Sequence, residues 1–95
     1  MRNDSSKKIT KEIQFSLLAI EANKVSLVGE FNNWNPDADP MQSDDNGTWI
    51  KAKMLSPGNI EYKFWVDGEW MQDPVNLRAC SNCFGTQNSV VKVIV

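Results

Sequence analysis

Apolar and polar residues alternate along the chain over short stretches, with no sustained helical period. This alternation predicts strands over residues 9–20, 24–31, 48–55 and 88–95. In the first, Ile13, Phe15 and Leu17 share one face. In the second, Gly29 indicates a bulge or a close backbone approach. The last has valines on both faces, which is typical of a strand covered on both sides.

The strongest local signal is Asp67-Gly68 between two aromatic-rich runs, because a two-residue type I′ turn needs positive φ at both central positions. A hairpin centred there pairs Val66 with Glu69 and Trp65 with Trp70. Continuing the register pairs Phe64 with Met71 and Lys63 with Gln72. One face then carries Lys63, Trp65, Trp70 and Gln72. The other, expected to pack in a core, carries Tyr62, Phe64, Val66 and Met71.

Turn-forming residues separate these elements at 32–37, 44–47 and 56–58, and residues 75–83 are expected to form an irregular loop. Six to eight short strands with frequent turns predict an all-β protein, an antiparallel sandwich of the immunoglobulin-like kind. At 95 residues the chain makes one domain. We expect it to occupy residues 9–95, preceded by a flexible N-terminal tail over residues 1–8.

Composition narrows the classes of partner. The net charge of −2 argues against nucleic acid or an anionic membrane as the main partner. The apolar run over 15–20 is too short, and its leader too polar, for a signal peptide or a membrane span. We therefore expect a cytoplasmic protein that binds no nucleic acid and no membrane.

The two cysteines, Cys80 and Cys83, form a C-x-x-C pair in a chain without histidine. A zinc site would need carboxylates or a second chain to complete it, and a thioredoxin-like role would need a helix that the surroundings do not suggest. The favoured interpretation is two loop thiols, with no metal and no cofactor.

The four tryptophans differ in what their positions predict. Trp49 begins a strand and is expected to pack in the core, whereas Trp34 lies in a turn-rich loop and Trp70 lies next to the hairpin turn. Trp65 is either a ligand contact or is shielded by a neighbouring strand that leaves only its edge in solvent. Flat indole rings with polar neighbours suit a sugar, whose C–H face stacks on the ring while its hydroxyls bond to the rim.

Seven short motifs occur in an order that resembles family 48 carbohydrate-binding modules: 31–34 (FNNW), 47–49 (GTW), 57–58 (PG), 61–64 (EYKF), 66–70 (VDGEW), 73–74 (DP) and 85–91 (GTQNSVV). The chain is similar to the glycogen-binding domain of AMP-activated protein kinase β subunits and to the early-set domains of isoamylases and branching enzymes. The resemblance covers about 25–93 and implies an early-set sandwich that binds α-1,4-linked glucan without catalysis.

The resemblance also implies roles for individual residues. Trp34 and Trp70 would stack on glucose units, and Lys63 and Asn88 would bond to hydroxyls. Thr86 would add a polar contact, and Phe84 stands where the kinase domain has a leucine that reaches through a cyclic oligosaccharide. Trp65 and Gln72, from the hairpin face, are additional candidates.

Two other functions are considered. Catalysis by Asp67, Glu69 or Asp73 is disfavoured because the first belongs to a turn, the last precedes a proline, and a small sandwich offers no deep cleft. The alternative to glucan binding is a protein-interaction module that docks on a glucan-metabolising enzyme or kinase complex and has little sugar affinity of its own. Sugar-spaced aromatics favour the glucan binder, since docking alone does not require them.

Overall fold

A computed structural model describes residues 9–81 and 85–94 of the chain. These residues form eight strands: β1 (Lys11–Leu18), β2 (Val25–Gly29), β3 (Gln42–Ser43), β4 (Thr48–Leu55), β5 (Gly58–Val66), β6 (Glu69–Met71), β7 (Ala79–Ser81) and β8 (Gln87–Val93). A single turn of 3₁₀ helix, Glu30–Asn32, follows β2. Within the described ranges, no helix is long and apolar enough to cross a membrane.

The strands form two antiparallel sheets. A three-stranded sheet has the order β1-β4-β3, and a five-stranded sheet has the order β2-β5-β8-β7 with β6 also paired to β5. Phe64 of β5 pairs with both Leu27 of β2 and Met71 of β6, and Tyr62 pairs in the same way with β2 and β8. Hence β6 and β8 lie end to end along one edge of β5. The predicted all-β sandwich is confirmed.

The sheets enclose one apolar core. Its buried residues come from both sheets and from the segment between β2 and β3: Phe15, Leu17, Val25, Leu27, Met41, Leu55, Tyr62, Phe64 and Val93. The Phe15 ring lies 4.8 Å from the Tyr62 ring, centroid to centroid, and Tyr62 lies 5.9 Å from Phe64. This row of rings joins β1 to β5, and burying each large side chain contributes about 2 kcal/mol to holding the layers together.

The hydroxyl of Tyr62 is satisfied within this core. It donates to Asp73 Oδ2 over 2.6 Å and accepts from Asn76 Nδ2 over 2.9 Å. The backbone N–H of Asp73 donates to the buried Ser89 Oγ over 2.9 Å. These bonds fix the segment after β6 against β5 and β8, which holds the end of the β5–β6 hairpin in place.

The segment from Asp39 to Met41 connects the two sheets and holds one end of a loop. Leu27 N donates to Asp39 O over 2.9 Å, and Met41 N donates to Val25 O over 2.8 Å, so this segment extends the five-stranded sheet beyond β2. The chain then enters β3 and joins the three-stranded sheet. Residues 30–38 therefore form a loop that leaves from β2 and returns beside it.

Gly29 is a site of close approach, as one of its two sequence interpretations predicted. A Cβ atom here would lie 2.6 Å from the carbonyl oxygen of Glu61 and 2.7 Å from the Phe31 ring. The ladder between β2 and β5 runs unbroken to the pair Gly29 and Tyr62, without a bulge. Only glycine fits between β5 and the Phe31 ring.

Several predicted elements differ from the structure. The strand predicted over 24–31 ends at Gly29, because the chain turns there into the 3₁₀ helix. The loop predicted over 75–83 contains β7, and the short β3 had no prediction. Both missed strands have only two or three residues, too few for alternation to reveal. The predicted tail, residues 1–8, lies outside the described residues.

The buried face of β4, which the sequence left open, is settled by its pairing. Phe15 pairs with Lys51 and Leu17 pairs with Trp49, so Trp49, Lys51 and Lys53 point to the core side of the three-stranded sheet. Trp49 packs against the core, as predicted, and its Nε1 donates to Ala19 O over 3.1 Å.

Candidate functional site

The hairpin between β5 and β6 carries two of the predicted site tryptophans. Asp67 and Gly68 have φ of 49° and 88°, so both central turn residues are left-handed, as the Asp-Gly signal predicted. Trp65 pairs with Trp70, and their ring centroids lie 4.6 Å apart with an interplanar angle of 66°. The predicted register is confirmed as far as Met71, where β6 ends.

Trp65 and Trp70 have different environments on this face. Trp70 is 47% exposed, whereas Trp65 is half-buried and pairs on its other side with the fully buried Ser26 of β2. An edge-to-face contact fixes the tilt of one ring against the other. Trp65 thus supports Trp70, which presents an exposed aromatic platform.

The opposite face of the hairpin is a core face only in part. Tyr62 and Phe64 are buried, as predicted, but Met71 is 40% exposed. The prediction for Met71 is wrong because β6 is a three-residue strand at the end of the sheet. The pairing predicted between Lys63 and Gln72 is absent as well, because β6 ends before Gln72.

Lys63 lies on the outer face of the five-stranded sheet, meaning the face directed away from the core. It is only 8% exposed, deeper than the surface position that the hairpin register suggested. Its Nζ donates to Thr86 Oγ1 over 3.0 Å. A lysine can bury its aliphatic stem while its ammonium reaches a polar partner. The ammonium is therefore held in a defined direction.

Asn88 of β8 shares this outer face and is 6% exposed. Its Nδ2 donates to Glu61 Oε1 over 2.9 Å. Glu61 had no predicted role in the site, although it stands two residues before Lys63 on β5 and thus on the same face. The alternation of β5 is the sequence signal that could have placed Glu61 beside the site.

Trp34 occupies the loop after β2, as predicted. Asn33 and Trp34 have φ of 57° and 59°, and Trp34 N donates to Gly29 O over 3.0 Å. Asn32 fixes the start of this loop: its Oδ1 accepts from Gly29 N over 3.1 Å, and its Nδ2 donates to Leu27 O over 3.0 Å. The Trp34 backbone is thereby tied to β2, the strand next to β5.

The far end of the same loop is fixed by Asp39, which is 6% exposed. Asp39 Oδ2 accepts from Asn32 Nδ2 over 2.8 Å, and Oδ1 accepts from Lys53 Nζ over 3.1 Å. Lys51 Nζ lies 3.8 Å from the same Oδ1. Burial opposes ionisation of Asp39, but the bonds from Asn32 and Lys53 and the two lysine charges together hold its pKa below the ordinary value.

The structure brings most of the predicted site residues to one sheet face: Lys63, Trp65, Trp70 and Asn88. Thr86, just before β8, joins them through its bond to Lys63. Trp34 is half-buried on the loop that follows β2, and its backbone is bonded to Gly29. Gln72 is exposed beyond the end of β6, and Phe84 lies outside the described residues.

The structure describes one of the two cysteines. Cys80 is a free thiol on β7, opposite Asn88, while Cys83 lies outside the described residues. A hydrogen bond to Glu61, burial and nearby negative charge raise the pKa of the Cys80 thiol, which lowers its reactivity. Among residues 9–81 and 85–94, no group of three histidine, cysteine, aspartate or glutamate side chains could hold a metal ion.

Two of the three carboxylates considered for catalysis bind the protein itself. Asp73 accepts from the Tyr62 hydroxyl. Asp67 accepts from Asn23 N over 3.0 Å and from Lys24 N over 2.8 Å, which joins the hairpin turn to the segment before β2. The third, Glu69, is exposed in β6.

Residues 12–94 match the family model described as the glycogen recognition site of AMP-activated protein kinase. The chain belongs to this family. The matched range covers nearly the whole sandwich and includes every predicted site residue. This glycogen-recognition family is the one that the sequence motifs indicated.

Relatives within the glycogen-recognition family come from plants and animals. The chain is 31% identical to Protein FLOURY ENDOSPERM 6, chloroplastic, of Oryza sativa subsp. japonica, over 97% of the chain and 17% of that relative. It is 36% identical to Protein PTST homolog 2, chloroplastic, of Arabidopsis thaliana, over 74% of the chain and 13% of the relative. It is also 36% identical to 5′-AMP-activated protein kinase subunit beta-1 of Rattus norvegicus, over 74% of the chain and 24% of the relative. The chain thus spans less than a quarter of each relative.

Proposed function

We propose that this domain binds α-1,4-linked glucan, such as glycogen or starch-like maltooligosaccharides, without catalysing any reaction on it. The observation that carries the proposal is the exposed Trp70 ring, supported by Trp65, on the same sheet face as Lys63 and Asn88. Membership of the glycogen-recognition family supports the same ligand class.

The chemistry of this face suits a neutral sugar. Trp70 offers an apolar ring for a pyranose C–H face, while the Lys63 ammonium and the Asn88 amide supply hydroxyl partners at its side. A stacked sugar that removes about 100 Å² of apolar surface from water contributes about 2.5 kcal/mol. Trp34 would add a second platform of similar size. After the cost of association, affinities of about micromolar to millimolar are expected.

A binding role without catalysis is supported by the carboxylates of the hairpin region. Glycosidases hold two carboxylates on either side of the scissile bond. Here Asp73 is bound by Tyr62, and Asp67 is bound by two backbone amides. The partner protein that would benefit from this binding is a glycogen-metabolising enzyme or kinase, and the beta-1 relative is itself a kinase subunit by name.

The test is a titration with maltoheptaose or β-cyclodextrin, followed by tryptophan fluorescence and amide chemical shifts. We expect saturable binding that Trp34→Ala or Trp70→Ala weakens at least tenfold, since each removes about 2 kcal/mol of stacking. Met71→Ala is the matched control, because Met71 is the neighbour of Trp70 on β6 but belongs to the opposite face. A cello-oligosaccharide of equal length controls for linkage.

Absence of any response to millimolar maltoheptaose by the folded protein would reject the glucan proposal. It would favour the docking module, in which the same face contacts a protein. Cytoplasmic localisation stays a prediction. Two relatives are chloroplastic by name, and cell fractionation would decide the question for this protein.

A further inference from the structure

The outer face of the five-stranded sheet continues beyond the predicted sugar contacts into an open depression of about 490 Å³. Residues from β5, β7, β8 and the segment before β7 line it: Asn59, Glu61, Leu77, Arg78, Ala79, Cys80 and Val90. Its volume falls within the range of small-molecule sites, which is about 300–1,000 Å³. No sequence pattern predicted a site at this position.

The depression is continuous with the face that carries Lys63 and Asn88. Glu61 lines it and also accepts the hydrogen bond from Asn88. Asn59, Glu61, Lys63 and Trp65 alternate along one face of β5. From Trp65 to Asn59 the strand runs about 20 Å, at about 3.3 Å per residue. A ligand that covers this length is longer than a trisaccharide.

The lining has the mixture of groups that a neutral polyhydroxylated chain requires. Leu77 is 94% exposed, so its apolar side chain stands open to a ligand. Arg78 is exposed and supplies guanidinium donors, while Asn59 and Glu61 supply acceptors. The charges of Arg78 and Glu61 offset each other, so the depression selects for neither an anion nor a cation.

The segment that carries Leu77 and Arg78 is held in place by backbone and side-chain bonds. Val90 N donates to Arg78 O over 3.0 Å, and Asn76 Nδ2 donates to Val90 O over 2.9 Å. The exposed Leu77 thus stands between two residues that are tied to β8. Its exposure is a feature of an anchored segment.

We propose that this depression is an additional subsite, in which Leu77 and Arg78 bind the continuation of a glucan chain whose first units lie on Trp34 and Trp70. The inference rests on the proposed glucan function. The subsite makes affinity depend on chain length: a chain confined to the tryptophan platforms gains nothing from it, whereas a longer chain gains a stacked aliphatic contact and hydroxyl bonds.

The test compares maltotriose with a maltooligosaccharide of at least ten units, by calorimetry, for the wild type and the double variant Leu77→Ala/Arg78→Ala. We expect the variant to bind maltotriose with an affinity within about twofold of that of the wild type. It should bind the long chain about tenfold more weakly than the wild type does, which corresponds to a loss of about 1.4 kcal/mol. The control variant Val75→Ala/Lys11→Ala also removes one exposed aliphatic side chain and one cation, but outside the depression. It should leave both affinities unchanged.

Amide chemical shifts provide a second measurement. The amides of Ala79 and Cys80 should move on addition of the long chain and stay in place with maltotriose. If wild type and double variant bind both sugars with the same ratio of affinities, the subsite is wrong while the glucan function stands. If neither sugar binds either protein, the glucan function and the subsite fail together.

Discussion

The Trp65 ring meets the Trp70 ring at 66°, with 4.6 Å between centroids, directly across the β5–β6 hairpin. We expect Trp65→Ala to lower glucan affinity about two- to twelvefold, because Trp70 loses a neighbour whose contact is worth about 0.5–1.5 kcal/mol. Trp65→Phe restores an aromatic contact and should recover most of the affinity. Isothermal calorimetry with maltoheptaose measures both, and equal affinity of the alanine variant would show that Trp65 does not position Trp70.

Substitutions of Lys63 can separate what its charge contributes to glucan binding from what its packing contributes to stability. Lys63→Met keeps an apolar stem of similar length but removes the ammonium that bonds to Thr86. We expect glucan affinity to fall at least tenfold, since a hydrogen bond to a charged group contributes about 1.5–3 kcal/mol. The free energy of unfolding should change by about 1 kcal/mol or less, because the packing of the stem is retained and the loss of the bond to Thr86 is offset by no longer burying a charge.

Lys63→Ala is the comparison for that variant. It removes the stem as well as the ammonium, so urea unfolding should show a further loss of stability of about 1–2 kcal/mol. If Lys63→Met binds maltoheptaose as the wild type does, the lysine is a structural residue and makes no sugar contact.

Asp39 should make stability depend on pH in the acid range. Its pKa is held below the ordinary value of about 3.9, so ionised Asp39 stabilises the fold above about pH 4, and this contribution is lost as the pH falls through its folded-state pKa. We expect Asp39→Asn to be about 1 kcal/mol less stable at pH 7, a modest figure because both lysines are partly exposed. That difference should shrink toward zero at pH 2.

Urea unfolding at pH 7, 4 and 2 measures this prediction. Asp45→Asn is the matched control, because Asp45 lies in an exposed turn and has none of the contacts described for Asp39. A constant difference between wild type and Asp39→Asn across this range would show that the charge of Asp39 does not stabilise the loop.

Tyr62 gives the corresponding prediction in alkali, and it is the only tyrosine in the chain. Burial, then the hydrogen bond to Asp73 and its charge, raise the Tyr62 pKa far above the ordinary value, against a smaller opposing effect from Asn76. The stabilisation that protonated Tyr62 contributes is therefore fully present below about pH 10 and is lost as the pH rises above it. The phenolate absorbance of the folded protein should appear only with unfolding, whereas the urea-unfolded protein should titrate near pH 10.

Local turn chemistry explains why much of this fold could be predicted. Asp67-Gly68 defines a two-residue turn without help from distant residues, and the register of Trp65 and Trp70 follows from it. The loop position of Trp34 was predictable for the same reason, because Asn33 adopts positive φ readily.

What could not be predicted depends on contacts distant in sequence. The alternation along β5 predicts which face carries Lys63, but it does not predict how deeply the side chain is buried. That burial depends on elements outside the hairpin that carries Lys63. Asp39 is fixed by Lys53, fourteen positions along the chain, on a strand of the other sheet. The depression beside Arg78 exists because the segment before β7 lies against β8, a contact that no local pattern encodes.

The loop over 30–38 has both of its ends on β2: Asn32 bonds to the backbone of Leu27 and Gly29 at its start, and Asp39 bonds to Leu27 at its end. Its interior can therefore gain or lose residues while the sheets keep their register. Insertions or deletions in this loop would place Trp34 at a different height above the sheet without changing the sandwich. Ligand preference and fold stability are in this respect separately adjustable, and a library of Asn35–Ala38 insertions would be a practical route to modules with altered glucan selectivity.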